Sequence, residues 1–264
     1  MRIALLQDSG VPGEPTANLE RLAMAARRAA AESIELLIAP ELYLTGYNLG
    51  DQLRDLAEPA GGPSAKRAAE IAAETGVALL YGYPEAAGKA LHNAALLVDG
   101  TGTARANYRK THLFGPEEKR LFSPGDDLML VELGALTLGL LICYDVEFPE
   151  AVRALTLAGA DMIVAPTALM RPYENVAEQM VPARAFENQV FIAYANRCGQ
   201  EGELTYCGMS CVIAPDGKPL IQSGRGEAFL VAEVDPAAYE ESRQANPYLE
   251  DRRPALYESA PKRL

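Results

Sequence analysis

Apolar residues in this chain fall into two recurring patterns. Short runs bounded by turn-prone residues read as buried strands, at residues 2–7, 34–39, 77–83, 161–165 and 190–196. The run at 34–39 is almost wholly apolar, as expected of a parallel strand covered on both faces. Between these runs lie stretches with helical spacing. Over residues 16–33, Leu19, Leu22, Ala23 and Ala26 form one stripe, and arginines and glutamates cover the other face. Residues 64–75, 147–158 and 176–187 also read as helices. Two hairpins interrupt the alternation. The runs 92–98 and 104–108 flank Asp99-Gly100-Thr101-Gly102, and the runs 209–214 and 228–234 flank a turn at Asp216-Gly217. Residues 128–133 and 136–142 form a further strand pair. A loop is expected from Lys110 to Asp127, and the tail from Pro236 to Leu264 holds a short helix followed by prolines and charges.

Each half of the chain therefore runs strand, helix, strand, hairpin, and no clean linker divides them. Mixed parallel and antiparallel pairing predicts an α/β fold of two stacked sheets with helices outside, a four-layer αββα sandwich, in one domain over residues 1–264. A Rossmann-type sheet is the competing architecture. It is disfavoured because no G-x-G-x-x-G follows the first strand.

Composition narrows the function classes. The 264 residues are 49% apolar and 23% charged, so the chain is globular, and a net charge of -12 argues against nucleic acid or an anionic membrane as partner. No apolar run approaches the roughly 18 residues of a membrane span. Met1 leads straight into a strand rather than a signal peptide, so a cytoplasmic location is expected. Four cysteines, at 143, 198, 207 and 211, form no C-x-x-C pair, which argues against a zinc site or a disulfide framework. With only His92 and His112 present, any other general base must be a carboxylate.

One stretch concentrates candidate chemistry. The apolar run 136–142 ends at Cys143, and Glu147-Phe148-Pro149-Glu150 then opens a helix, with proline early and acids in the first turn. Cys143 thus stands at the carboxyl end of a strand, the edge where open α/β sheets bind ligands. A helix start there is expected to lower the thiol's pKa. A small buried core residue is the bland alternative. Glu41 directly follows another apolar strand and Pro40, and Lys110 follows the strand at 104–108. Taken singly, Glu41 is an ordinary loop carboxylate, Lys110 a solvated lysine and His112 a structural histidine. Together, Glu41, Lys110 and Cys143 supply a carboxylate base, a cation and a nucleophile, the inventory for acyl transfer.

Three segments carry a resemblance. Pro40-Glu41-Leu42-Tyr43-Leu44-Thr45-Gly46-Tyr47, Tyr108-Arg109-Lys110-Thr111-His112-Leu113-Phe114 and Leu141-Ile142-Cys143-Tyr144-Asp145-Val146-Glu147-Phe148-Pro149-Glu150 resemble the signature segments of the nitrilase superfamily, the carbon–nitrogen hydrolases. The likeness extends over essentially the whole chain and is nearest to small aliphatic amidases of the 5-aminopentanamidase and stereoselective-amidase kind. It implies the αββα fold and a Glu–Lys–Cys triad, with Glu41 as general base, Lys110 as oxyanion stabiliser beside the Tyr144 N–H, and Cys143 as nucleophile. It also implies a second glutamate after the lysine motif, counted back from Pro124-Gly125-Asp126 to Glu118, with Glu117 as the alternative. The implied product is an acid plus ammonia, released through a cysteine thioester. A homodimer built on the helices after the nucleophile and near 176–187 is implied as well, with no metal or organic cofactor.

Tyr43, Tyr144, Thr167 and Ala168 adjoin the motifs and are candidate pocket walls for the small-molecule amide. Asp145, Glu147 and Glu174 are candidate partners for a substrate ammonium; helix capping is the competing role for Asp145 and Glu147. Competing functions are a nitrilase proper, an N-carbamoyl hydrolase and a catalytically idle binding subunit that keeps the fold.

Overall fold

The computed structural model describes residues 1–257. Its framework is two six-stranded sheets. The first uses β1 (Arg2–Gln7), β2 (Leu36–Ile38), β3 (Ala78–Ala87), β4 (Ala90–Val98) and β5 (Ala104–Arg109). The second uses β6 (Met129–Leu133), β7 (Leu136–Leu140), β8 (Met162–Thr167) and β9 (Phe191–Asn196). A two-stranded ribbon, β10 (Gln200–Glu201) with β11 (Leu204–Thr205), follows. The second sheet is completed by β12 (Cys211–Ile213) and β13 (Pro219–Gln222), and β14 (Ala228–Glu233) returns to the first. The orders are β14-β1-β2-β3-β4-β5 and β13-β12-β9-β8-β7-β6. In each, the three central strands run parallel (β1, β2, β3 and β7, β8, β9) and antiparallel strands close both sides.

The long helices arise where the sequence has helical stripes. Helix α1 (Pro15–Ala31) buries Leu22, Ala23 and Ala26 against the first sheet. The short α2 (Gln52–Leu56) precedes α3 (Pro63–Thr75), which stops at Gly76, a residue with φ +70° that a side chain would strain. Helices α4 (Gly115–Leu121), α5 (Pro149–Leu157), α6 (Val181–Asn188), α7 (Glu240–Ala245) and α8 (Pro254–Tyr257) follow. Strand periodicity partitions the core. Ile3, Leu5, Leu36, Ile38, Leu80 and Leu97 join the cluster shared with the second sheet. The alternating Ala4, Leu37, Leu79 and Leu96 pack with α1 and α3 on the opposite face. The result is the four-layer αββα sandwich. No helix of the described residues is long and apolar enough to cross a membrane.

The structure corrects several expectations. Asp216-Gly217 turns β12 into β13, and β14 pairs antiparallel with β1 in the other sheet instead of closing that hairpin. Residues 110–127 are not all loop, because α4 lies within them. The helix expected from 147 begins at Pro149, preceded by a 3₁₀ turn over Cys143–Glu147. The helix expected over 176–187 opens as a π turn, Val176–Met180, before α6. In the tail, α7 and α8 are both formed, and residues 258–264 lie outside the described chain.

Candidate active site

Three strand ends deliver the central groups. Glu41 follows β2, and its N–H donates to the Thr167 carbonyl at the end of β8, 3.4 Å away, so the two sheets meet at this residue. Its turn is held by Leu42 at φ +45° and by the wholly buried Arg197, which donates to the Leu42 carbonyl at 3.3 Å and the Ser9 carbonyl at 2.8 Å. Lys110 follows β5; its N–H donates to Asn93 O at 2.8 Å and its carbonyl accepts from Gly125 N at 2.9 Å. Cys143 follows β7 and Leu141-Ile142, and opens the 3₁₀ turn at φ +47°. A non-glycine residue in the left-handed region is costly and persists where its surroundings over-determine it.

Lys110 Nζ lies 2.7 Å from Glu41 Oε1 and 2.8 Å from Glu118 Oε1, and all three side chains are buried. Glu41 Oε1 also accepts from Asn93 Nδ2 at 2.7 Å, whereas the buried Oε2 has no hydrogen-bond partner among the described residues. Glu118 Oε1 accepts from the Tyr47 hydroxyl at 2.7 Å, and Oε2 accepts from Phe114 N at 2.8 Å. Glu117 instead faces solvent, 62% exposed, and pairs with Arg120 at 2.7 Å.

Burial raises the Glu41 pKa; the Lys110 ammonium opposes that rise without cancelling it. Burial works against the Lys110 charge, but Glu118, Glu41 and Cys143 outweigh it and hold its pKa well above the ordinary lysine value. The Cys143 thiol is likewise pushed up, by burial and then by Glu41; Lys110 and the Ala168 N–H act in the opposite direction. The lowered thiol pKa expected from a helix start is therefore not what the fold produces. The 3₁₀ turn separates Cys143 from α5, and desolvation dominates.

Cys143 borders a hollow of about 210 Å³ with Tyr47, Phe114, Tyr144, Glu147 and Ala168. A second hollow, of about 360 Å³, shares Tyr47, Phe114, Met170 and Tyr173 with it and includes Glu118 in its wall. Aromatic edges build the partition: Phe114 meets Tyr144 at 5.3 Å and Tyr173 at 5.7 Å between ring centres.

Of the four expected wall residues, Tyr144 and Ala168 border the Cys143 hollow. Tyr43 does not. It packs in the outer core beside α1 and α3 and donates its hydroxyl to Asp8 at 2.8 Å. Thr167 is wholly buried and donates to Ala165 O at 2.9 Å. Among the three acids, Glu147 borders the hollow and burial raises its pKa. Asp145 is buried under five hydrogen-bonding contacts, and Glu174 pairs with Arg225 at 3.1 Å. His112 stacks on Phe148 at 3.9 Å, and His92 contacts Ser123 O at 2.8 Å.

Tyr47, Asn93 and Arg197 were not singled out in the sequence. Asn93 carried a readable signal, a polar residue inside the apolar run 92–98. Tyr47 closes a quoted motif, and Arg197 follows directly on β9.

A nucleophile at a strained turn on the edge of a hollow, with a buried carboxylate and a caged ammonium whose charges act on its thiol, defines a cysteine-dependent acyl-transfer site. Comparison with known proteins agrees. The carbon-nitrogen hydrolase family model matches residues 2–244. The chain is 48% identical to a Pseudomonas protegens protein described as a hydrolase in the pqqF 5' region, covering 100% of this chain and 93% of that one. It is 37% identical to an (R)-stereoselective amidase of Pseudomonas sp, covering 96% and 92% of the two chains. A solved amidase from Nesterenkonia sp. AN1, a glutamate-to-glutamine mutant with acrylamide added at its active-site cysteine, superposes with a TM-score of 0.85. That pair is 37% identical over 97% of this chain and 98% of the other. The chain belongs to the carbon–nitrogen hydrolase family of the nitrilase superfamily.

Proposed function

We propose that this protein is an amidase that hydrolyses a small aliphatic amide to an acid and ammonia through a thioester on Cys143. The observation that carries the reading is Lys110 Nζ, buried between Glu41 Oε1 at 2.7 Å and Glu118 Oε1 at 2.8 Å, with its charge favouring the Cys143 thiolate. Glu41 Oε1 is committed to Lys110 and Asn93, which leaves Oε2 to take the thiol proton as sulfur attacks the amide carbon. The Lys110 ammonium and the Tyr144 N–H stabilise the tetrahedral oxyanion. The C–N bond breaks, and the leaving amine takes the proton from Glu41 and departs as ammonia. Water then gives a proton to Glu41, attacks the thioester carbonyl and releases the acid and the thiol.

Glu147 supports a finer assignment. Its carboxylate borders the hollow and has no hydrogen bond or ion pair among the described residues, and its raised pKa falls when a cation arrives. An ω-amino amide would bring that cation. We further propose a cytoplasmic homodimer. Four unpaired cysteines suit a reducing compartment, and Leu157 on α5 and Tyr248 against Phe186 of α6 leave apolar surface exposed.

The test is ammonia release from paired amides. 5-Aminopentanamide is expected to exceed pentanamide in kcat/KM by about 10-fold or more, a charge-assisted contact being worth about 1.5–3 kcal/mol. Glu147→Gln is expected to erase that preference. Equal values in the wild type remove the ammonium assignment, and no ammonia from any small amide removes the amidase reading. Light scattering at working concentration tests the dimer; a monomer would refute it.

A further inference from the structure

Asp145 lies two residues beyond the nucleophile and is wholly buried. Its Oδ2 accepts from Ile142 N at 3.0 Å and from the Tyr108 hydroxyl at 2.8 Å. Its Oδ1 accepts from Thr111 Oγ1 and His112 N, each at 2.8 Å, and lies 2.9 Å from His112 Nδ1. Residues 108, 111 and 112 bracket Lys110, and residues 142 and 145 bracket Cys143. One carboxylate therefore ties the segment bearing the ammonium to the turn bearing the sulfur. Asp145 does not border the Cys143 hollow and is sealed from it by its own hydrogen-bond partners.

The carboxylate form is required by the donors around it. Each oxygen faces one backbone N–H, and a backbone N–H can only donate. An asparagine in either orientation points its NH₂ group at one of them and leaves a buried donor unpaired. The Tyr108 and Thr111 hydroxyls are also aimed at this residue, and they lie 3.2 Å apart, so the two hydroxyls and the carboxylate form one closed cluster.

We propose that Asp145 is a positioning residue that sets the Lys110 ammonium against the Cys143 sulfur. The proposal rests on the Glu41–Lys110–Cys143 reading of the site. It assigns Tyr108 and Thr111 the same task from the lysine side, and His112 joins them through its backbone N–H.

The experiment measures steady-state ammonia release and the pH profile of Cys143 alkylation by iodoacetamide, mapped by peptide mass, in the full-length protein. Asp145→Asn is expected to lower kcat by about 100-fold, the scale of a 1 Å misplacement, with KM within about 2-fold. Because that variant is at risk of misfolding, Thr111→Val and Tyr108→Phe are measured beside it, with circular dichroism to establish folding. Each is expected to lower kcat by about 10-fold and to move the alkylation midpoint to higher pH, as Lys110 loses its hold on the thiolate. Thr111→Ser keeps the hydroxyl and is expected to restore both readouts. If the wild type releases no ammonia but the alkylation midpoint still moves in Thr111→Val and returns in Thr111→Ser, the positioning role stands and the amidase reading fails. A folded Tyr108→Phe/Thr111→Val double variant with wild-type kcat and a wild-type alkylation profile overturns the proposal. So does a variant that loses thermal stability alone.

Discussion

Gly82, on β3, lies directly beneath Glu41: a Cβ at position 82 would stand 2.7 Å from Glu41 Cα and 2.3 Å from Leu42 N. Its N–H donates to Pro40 O, and its carbonyl accepts from Leu44 N, both at 3.1 Å, so the strand and the Glu41 turn are in backbone contact. No side chain fits between them. Gly82→Ala is expected to shift the Glu41 carboxylate, lowering kcat by about 10- to 100-fold. It is also expected to cost about 1–3 kcal/mol of stability by overpacking. Gly61→Ala, where no described residue lies within 4 Å of the added carbon, serves as the control and is expected to change neither quantity. Denaturant melts and ammonia assays on the two variants check this; an unaltered Gly82→Ala enzyme would show that the Glu41 turn is not held by this contact.

Glu118 and Glu117 are neighbours with different environments. Glu118→Gln removes one of the two anions that cage Lys110. Its kcat/KM is expected to fall by about 100-fold or more, since an uncompensated change beside a buried charge is costly. Glu117→Gln touches an exposed pair with Arg120 and is expected to stay within about 2-fold. Comparable losses in both variants would contradict the assignment of the second glutamate.

The pH dependence follows from the signs of the shifts. The base is ionised Glu41, and burial raises its pKa, so acidification protonates it at a higher pH than an exposed glutamate, near 4.3. Activity is thus expected to fall on the acid side with a midpoint above that value. Cys143 and Lys110 are both pushed up, so thiol and ammonium persist well above neutral pH and the alkaline limb lies far to that side. A profile of kcat/KM against pH with its acid midpoint near 4, or with activity lost just above neutrality, would contradict this account.

All four cysteines are buried, and they differ in access. Cys198 and Cys207 are pushed up to about 11 and Cys211 to about 12, chiefly by burial. Cys143 is also buried and raised, but it borders the hollow and has Lys110 beside it. A small amide-shaped electrophile such as iodoacetamide is expected to label Cys143 before the other three in the folded protein, by peptide mapping. Equal labelling would mean that the hollow gives no privileged approach to the sulfur.

Much of the framework was legible because burial on both faces writes continuous apolar runs into the parallel strands. Glu41, Lys110 and Cys143 stood out for the complementary reason, as polar groups at the ends of such runs. What escaped depended on partners distant along the chain. The local Asp216-Gly217 signal identifies a turn but not the strand beyond it, so the expected hairpin partner, the run 228–234, is β14 with its register set by β1, and β13 pairs with β12 instead. Tyr43 and Tyr47 share one motif, and local spacing does not say which faces the hollow; the turn at Leu42 buries the first against Asp8 and brings the second to Glu118. Helix α4 was readable in principle, with Pro116 at its start, acids in its first turn and Lys119 and Arg120 in its last. The thiol's raised pKa was not, because desolvation depends on the assembled sandwich.

The central claim is an acyl group carried on the Cys143 sulfur. Rapid acid quench of the enzyme during turnover of a small amide, followed by intact mass and peptide mapping, tests it most directly. The account predicts a mass gain equal to the acyl group minus one hydrogen, confined to the peptide containing Cys143, removed by hydroxylamine and absent in Cys143→Ala. Ammonia release at the wild-type rate by a folded Cys143→Ala protein, with no acylated peptide in the wild type, would contradict it.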